Sequence, residues 1–288
     1  MKIDRPPYVT DERLYHFIDE AIKEDIGDGD HSTLASVPAD LKHRARLLIK
    51  HDCILAGVDL AQEIFHYYDR DLNIEVLKQD GDKVKEGDVA FIVSGSARSI
   101  LTMERLVLNC MQRMSGIATY THEMVELLAD TNTRILDTRK TSPIFRMCEK
   151  WAVYIGGGKN HRYGLFDMIM LKDNHNDYAG GITKAVEATV NYLKEKGKNL
   201  RIEVETRNLD EVKEALATKA VDVIMLDNMS LFEMTAAVQL INGAAEVEAS
   251  GGITKETVHD VAKTGVDYIS SGAIIYAAPN IDLSLKAF

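Results

Sequence analysis

From residue 134 onward, short apolar runs alternate with helix-length segments, and no other feature constrains the fold of this 288-residue chain as tightly. The expected strands are 134–138 (RILDT), 168–172 (MIMLK), 201–205 (RIEVE), 222–226 (DVIML), 245–249 (AEVEA) and 267–271 (DYISS). Helices are expected at 143–155, 181–196, 208–219, 230–241 and 254–264, with Asn208 as a cap and Thr254 followed by Thr257 as a weaker one. Such alternation forms a parallel sheet joined by right-handed crossovers. The sheet either closes as a barrel or stays open and doubly wound.

Each expected strand runs into polar residues. Asp137-Thr138-Arg139-Lys140-Thr141 follows the first, and Lys172-Asp173-Asn174-His175 follows the second. Glu205 ends the third and Asp227-Asn228 the fourth, while Ser250-Gly251-Gly252 and Ser271-Gly272 follow the last two. One polar strand end means little. A full set marks the face where parallel α/β folds bind ligands.

The ends divide by chemistry. Glycines after late strands let backbone N–H groups approach an anion, and a following helix N-terminus adds a positive dipole, so Ser250–Gly252 and Ser271–Gly272 are candidate phosphate binders. Two ordinary glycine turns are the plainer reading of either alone. Glu205 and Asp227, on neighbouring strand ends, suit a magnesium ion carried by a diphosphate; structural ion-pair partners are the alternative. Glu203 is expected to face away and is the weaker candidate. Arg139, Lys140, His161, Arg162 and Lys172 form a basic set. Arginine suits bidentate carboxylate or phosphate recognition and lysine acts as a point charge. The run Gly156-Gly-Gly-Lys-Asn-His161-Arg162 reads as a flexible loop that places His161 and Arg162 over the site.

The N-terminal part has a different texture. Residues 11–26 show helical spacing in Leu14, Phe17, Ile18, Ala21 and Ile22, ended by the acidic, glycine-broken run Glu24–Asp30. That run lacks the ligand spacing of an EF-hand and reads as a solvated turn. Residues 44–58 and 73–101 read as β structure, with two Gly-Asp turns between 79 and 88. They resemble half of a biotinyl or lipoyl carrier motif, but no lysine sits at a hairpin tip, so they are scaffold. Residues 102–129 are helical by pattern, interrupted at Ser115-Gly116, with their methionines as core filling.

The formal net charge of −11 argues against nonspecific binding to nucleic acid or acidic membrane surfaces, yet leaves small anionic substrates open. The three cysteines, Cys53, Cys110 and Cys148, have no zinc or disulfide spacing and are expected as reduced, buried thiols. The N-terminus has no apolar leader and no run approaches bilayer-spanning length, so the expected location is cytoplasmic.

Several segments together resemble one enzyme family. In order they are Glu24-Asp-Ile-Gly27, Glu104-Arg-Leu-Val-Leu-Asn109, Gln112-Arg-Met-Ser-Gly-Ile-Ala-Thr119 and Asp137-Thr-Arg-Lys-Thr141. Gly156-Gly-Gly-Lys-Asn-His-Arg162, Leu171-Lys-Asp-Asn-His175, Asp227-Asn-Met229 and Glu248-Ala-Ser-Gly-Gly-Ile253 follow. Over nearly the whole chain the combination resembles quinolinate phosphoribosyltransferase, also called carboxylating nicotinate-nucleotide diphosphorylase. The resemblance implies an N-terminal α/β sandwich domain (1–115, with the tail 278–288 packed back on it) and an incomplete α/β barrel (116–277). It implies phosphoribosyl transfer from phosphoribosyl diphosphate (PRPP) to quinolinate with decarboxylation, magnesium bound with the diphosphate, and a homodimer with shared active sites, or a hexamer built from it.

By motif match, Arg105 would cross the dimer interface. Arg139, His161, Arg162 and Lys172 would hold the two carboxylates of quinolinate, with Lys140 and the shared Lys172 on the diphosphate substrate and Thr138 among the substrate-binding residues. Glu205 and Asp227 would take the ribose hydroxyls and magnesium, and Ser250, Gly251, Gly252, Ser271, Gly272 and Ala273 the 5′-phosphate. The chain departs from the family pattern at Ser142-Pro-Ile-Phe-Arg146, at Asn176 and at Tyr276. Three alternatives remain open: a paralogue acting on another heterocycle, such as the molybdenum-associated relative; a Schiff-base aldolase using Lys172; and a non-catalytic sensor of PRPP.

Overall fold

The computed structural model describes residues 3–288 and contains two compact units. The chain begins with α1 (Asp11–Ile26), α2 (His31–Ser36), β1 (Lys42–Ile49), β2 (Cys53–Ile54) and α3 (Val58–Tyr68). There follow β3 (Asn73–Val76), β4 (Lys83–Val84), β5 (Val89–Ser96) and the long α4 (Ala97–Leu127). The alternating part is β6 (Arg134–Leu136), α5 (Arg146–Ile155), β7 (Ile169–Leu171), α6 (Asp173–Ala179), α7 (Ile182–Lys196), β8 (Ile202–Thr206) and α8 (Leu209–Ala217). It continues through β9 (Val223–Asp227), α9 (Leu231–Ile241), β10 (Glu246–Ser250), α10 (Val258–Ala262), β11 (Tyr268–Ser270), α11 (Ala273–Tyr276) and β12 (Leu283–Ala287).

The first unit comprises the chain up to His122 together with Thr141–Gly157 and Ile274–Phe288. Its antiparallel sheet has the order β12-β1-β5-β3. β1 alternates as a half-buried strand should, with Ala45, Leu47 and Ile49 inward. Helix α3 covers the sheet through Leu60, Ile64 and Phe65, and Phe65 meets Phe91 edge-on at 6.2 Å between ring centroids. The residues of the run Glu24–Asp30 are largely exposed, and Asp30 caps α2 by accepting from Thr33 N (3.1 Å). Both Gly-Asp turns are present: Asp82 accepts from Gln79 N (2.8 Å) and Asp88 from Lys85 N (3.1 Å). The three thiols are free and buried.

Two expectations need correction here. Residues 97–101 begin α4 instead of extending a strand, and α4 runs unbroken through Ser115-Gly116. Gly116 serves close approach: a Cβ there would sit 1.9 Å from the carbonyl oxygen of Pro279. Ser115 Oγ meanwhile takes the amide of Ala56 (3.0 Å) and donates to its carbonyl (3.2 Å).

The units also cut the chain differently from 1–115 and 116–277, because α5 belongs to the first unit. Arg113 on α4 explains this. Its guanidinium donates to the fully buried Glu149 of α5 (3.1 Å) and to the carbonyls of Ile275 (2.7 Å) and Ala278 (2.9 Å). Ser142, one of the departing residues, donates to the same Glu149 through N (2.8 Å) and Oγ (3.1 Å).

The second unit, Glu123–Lys140 and Gly158–Ala273, carries a six-stranded parallel sheet in the order β6-β11-β10-β9-β8-β7. From β7 to β11 the strands follow chain order, and the first strand, β6, then pairs with the last. That cyclic order belongs to a barrel, since a doubly wound sheet reverses direction at a switch point. β6 and β7 lie at opposite ends of this order and do not pair with each other, so the barrel is incomplete. The observed strands match the six expected ones within two residues. α10 is much shorter than the expected 254–264, and α2 and α3 had no counterpart in the sequence reading.

Candidate active site

Strand alternation stacks charged side chains along one face of the six-stranded sheet. Glu203 and Glu205 share a parity on β8, with Arg201 just before the strand, as do Glu246, Glu248 and Ser250 on β10, and the register sets Glu205 and Glu248 on either side of Met225. Glu203 therefore faces the same way as Glu205, contrary to the expectation above, because residues two apart on a strand point to the same side. Near the N-terminal end of the strands, Glu246 binds Arg201 and the Tyr268 hydroxyl. The upper end carries the candidate site.

At the end of β6, buried Asp137 accepts the His161 amide (2.8 Å) and the Asn160 side chain (2.6 Å). The segment Lys159–Arg162 thus lies along β6, bridged to it at Leu136. It is anchored, where the triple glycine had suggested a free loop. Thr138 accepts the Lys140 amide through its hydroxyl (3.0 Å). Arg162 reaches the carbonyl of Met168 (3.2 Å), and its pKa is lowered first by burial and then by the positive charge of Arg139. Two guanidiniums that repel each other in a partly buried place make a setting for a multiply charged anion.

At the end of β7, Lys172 Nζ stands 3.5 Å from Glu205 Oε2, with about half of its side chain exposed. A Schiff-base lysine is normally activated by desolvation, so this setting speaks against the aldolase. Asn176, where an apolar residue is commoner in the family, is buried and donates to the Glu205 carbonyl (3.2 Å). The Glu205 carboxyl is raised above its ordinary pKa by burial and also by Asp227, with Lys172 opposing. Asp227 is half-buried and accepts from Asn228 Nδ2 (2.9 Å).

At β10, Ser250 accepts the Asn228 amide (2.9 Å), and Gly251 and Gly252 follow with φ of 106° and 60°. A Cβ on Gly251 would lie 2.2 Å from Asn228 Oδ1, whereas Gly252 opens onto free space. The helix dipole expected behind this turn is not adjacent: α10 begins only at Val258. What Ser250–Gly252 offers is therefore backbone and hydroxyl groups. After β11, the amide of Ser271 is used by the Leu136 carbonyl (3.0 Å), which leaves Gly272 and Ala273 at the start of α11.

All the expected site residues from Thr138 to Ala273 therefore lie in one unit, at one end of its strands. Arg105 does not. It is exposed on α4 of the first unit. A surface groove lined by Thr183, Val186, Val190 and Ala217 contains none of the expected residues.

The sequence reading missed a buried cluster directly below the site. His161 Nε2 lies 2.9 Å from Glu203 Oε2 and 3.5 Å from Glu248 Oε2, and both acids are almost fully buried. Burial, then the Glu203 charge, push Glu248 up to about 8. The signal was present in IEVET and EVEAS, where acids alternate with apolar residues. An acid at every second position of a buried strand points into a polar interior.

Comparison with known proteins agrees with this geometry. The family model for the quinolinate phosphoribosyl transferase N-terminal domain matches residues 30–115, and that for the C-terminal domain matches residues 117–286. A chloroplastic nicotinate-nucleotide pyrophosphorylase [carboxylating] of Arabidopsis thaliana is 46% identical over 297 residues, covering 98% of this chain and 85% of its own. A mitochondrial quinolinate phosphoribosyltransferase [decarboxylating] of Nicotiana tabacum is also 46% identical, covering 98% and 84%. The solved structure of the nicotinate-nucleotide pyrophosphorylase from Francisella tularensis superposes with a TM-score of 0.90 at 40% identity, covering 100% of both chains. Among the described residues, no helix is long and apolar enough to cross a membrane. The chain belongs to the quinolinate phosphoribosyltransferase family.

Proposed function

We propose that this chain transfers the phosphoribosyl group of PRPP to quinolinate and decarboxylates the product, giving nicotinate mononucleotide, diphosphate and CO2 for NAD synthesis. The observation that carries this reading is the mutually repelling Arg139–Arg162 pair set beside Lys172, Glu205 and Asp227 at one end of the barrel strands. A dicarboxylate fits the first group and a ribose diphosphate the second.

In the reaction, the pyridine nitrogen forms a bond to ribose C1 as the C1–O bond to diphosphate breaks. The carboxylate beside the nitrogen then leaves as CO2, its bonding electrons stay on the ring carbon, and a proton is taken up there. Arg139, Arg162, Lys172 and Thr138 hold the dicarboxylate, so that the nitrogen faces C1. Lys140 and Lys172 balance charge on the diphosphate. The carboxylates of Glu205 and Asp227 hold the ribose hydroxyls and stabilise positive charge developing at C1. Ser250–Gly252 and Ser271–Ala273 receive the 5′-phosphate.

Glu205 and Asp227 would hold the magnesium ion that accompanies the diphosphate, and that ion would supply positive charge opposite the leaving group. Glu205 fits that role, because its carboxyl is pushed up by burial and also by the neighbouring Asp227, and a cation held between the two would relieve that repulsion. The exposed Arg105 is assigned to the mouth of a second copy, which makes the working form a homodimer with shared sites. Inactive Arg105→Ala and Lys140→Ala proteins, mixed together, should regain part of the wild-type rate. No recovery on mixing counts against shared sites.

A further inference from the structure

We infer that Asn176 is a positioning residue for the reaction: its buried amide grips the main chain at Glu205 and so fixes that carboxylate against Lys172. The inference rests on the reading that Glu205 holds the ribose of PRPP and stabilises charge at C1.

Helix α6 meets Glu205 from two sides. Lys172, the residue just before its first turn, brings Nζ to 3.5 Å from Glu205 Oε2. Burial raises the Glu205 pKa, while Lys172 and the amide of Asp173 oppose that rise. One turn along, Asn176 N bonds to Lys172 O (3.0 Å), and Asn176 Nδ2 donates to Glu205 O (3.2 Å). One short helix thus carries both the ammonium that faces the Glu205 carboxylate and the amide that holds the Glu205 carbonyl. A shift of α6 along β8 would change both together. The strand exit is also fixed on its other flank, where Thr206 Oγ1 donates to Met225 O of β9 (2.9 Å).

The amide is costly where it stands. Asn176 is 3% exposed, and its Oδ1 is buried with no hydrogen-bond partner among the described residues. A buried acceptor without a partner is destabilising, and an apolar side chain of similar volume would avoid that penalty. Packing of α6 alone therefore does not call for an amide here, whereas the donation from Nδ2 does. A second link between the same elements runs from Arg207 to Asp177 at 3.0 and 3.1 Å. It is half exposed, so water screens it and it adds little. The hold on Glu205 accordingly falls to Asn176, and the departure from the family pattern at that position gains a role.

A double-mutant cycle in the intact enzyme tests the inference. Asn176→Leu should lower kcat/KM for PRPP about tenfold, with Tm no lower than wild type. In a Glu205→Gln background the same substitution should change kcat/KM by less than about twofold, because the carboxylate it positions is gone. Asn176→Ala, which removes the amide without adding bulk, should show the same non-additivity. Asp177→Ala, which breaks only the exposed link, should stay within about twofold of wild type. Additive losses, an unchanged kcat/KM in Asn176→Leu, an equal loss in Asp177→Ala, or a Tm several degrees lower in Asn176→Leu would each overturn the positioning role. Glu205→Gln by itself separates the two failures. At wild-type rate it refutes the ribose reading and the inference with it, whereas a slow Glu205→Gln beside an additive Asn176→Leu refutes the positioning role alone.

Discussion

Replacing Gly251 by alanine isolates the proposed phosphate turn. Gly251 has φ of 106°, where an L-residue is strained by roughly 1–3 kcal/mol. The new Cβ would also stand 2.2 Å from Asn228 Oδ1 and 3.0 Å from Asn228 N, both inside van der Waals contact. Asn228 has little room to yield. It has φ of 54°, its amide is held by Ser250 O at 2.9 Å, and its side chain holds Asp227 at 2.9 Å. Relief of the clash therefore disturbs both the turn and Asp227, the carboxylate proposed to bind the ribose. At about 1.4 kcal/mol per tenfold, strain of this size corresponds to a PRPP KM raised on the order of 10- to 100-fold. Gly252→Ala is the control, because it has positive φ but no atom within 4 Å of its new Cβ. Initial rates with each substrate varied in turn should show a markedly smaller effect for the control. Equal effects of the two substitutions, or a larger change in quinolinate KM than in PRPP KM, would refute the reasoning.

Three further outcomes are expected. Gly116→Ala, which drives a Cβ to 1.9 Å from Pro279 O, should destabilise the protein by roughly 1–3 kcal/mol and lower Tm by several degrees; an unchanged thermal transition contradicts the close-approach account. Glu205→Gln and Asp227→Asn should each reduce kcat/KM by roughly 10²–10³-fold, as expected for removing a group aimed at developing charge, with folding intact by circular dichroism; wild-type rates in either variant would remove that carboxylate from the mechanism. Glu248 supplies a pH test. Its folded pKa of about 8 lies above the ordinary carboxylate value, so the folded state binds the extra proton. Its stabilising contribution is complete below about pH 4.5, falls as pH rises, and is lost by about pH 8. Between those limits wild-type Tm should decline relative to Glu248→Gln, whose amide cannot titrate, and parallel curves would contradict the assignment.

Much of the barrel was legible because its strands are short apolar runs bounded by charge or glycine, and that contrast survives in a single sequence. The site followed from the same contrast, since a strand end is where the apolar pattern stops. Three readings failed for identifiable reasons. Ser115-Gly116 resembles a helix break, but its glycine answers to Pro279, which is remote in sequence and invisible to local pattern. Gly156–Gly158 suggests mobility, whereas Asp137 ties the segment that follows. Glu203 was set on the wrong face although its spacing from Glu205 requires the same one. Its burial against His161 depends on β10 supplying Glu248, a neighbour that only the sheet order reveals.

The central claim is that the strand-end site joins quinolinate to the ribose of PRPP and expels the carboxylate next to the ring nitrogen. It is tested most directly with quinolinate isotopically labelled in that carboxylate, incubated with the enzyme, PRPP and magnesium. Labelled CO2 should appear in equal amount with nicotinate mononucleotide, and neither should form when PRPP is omitted. A nucleotide product that retains the label, or no product at high enzyme concentration, would contradict the account.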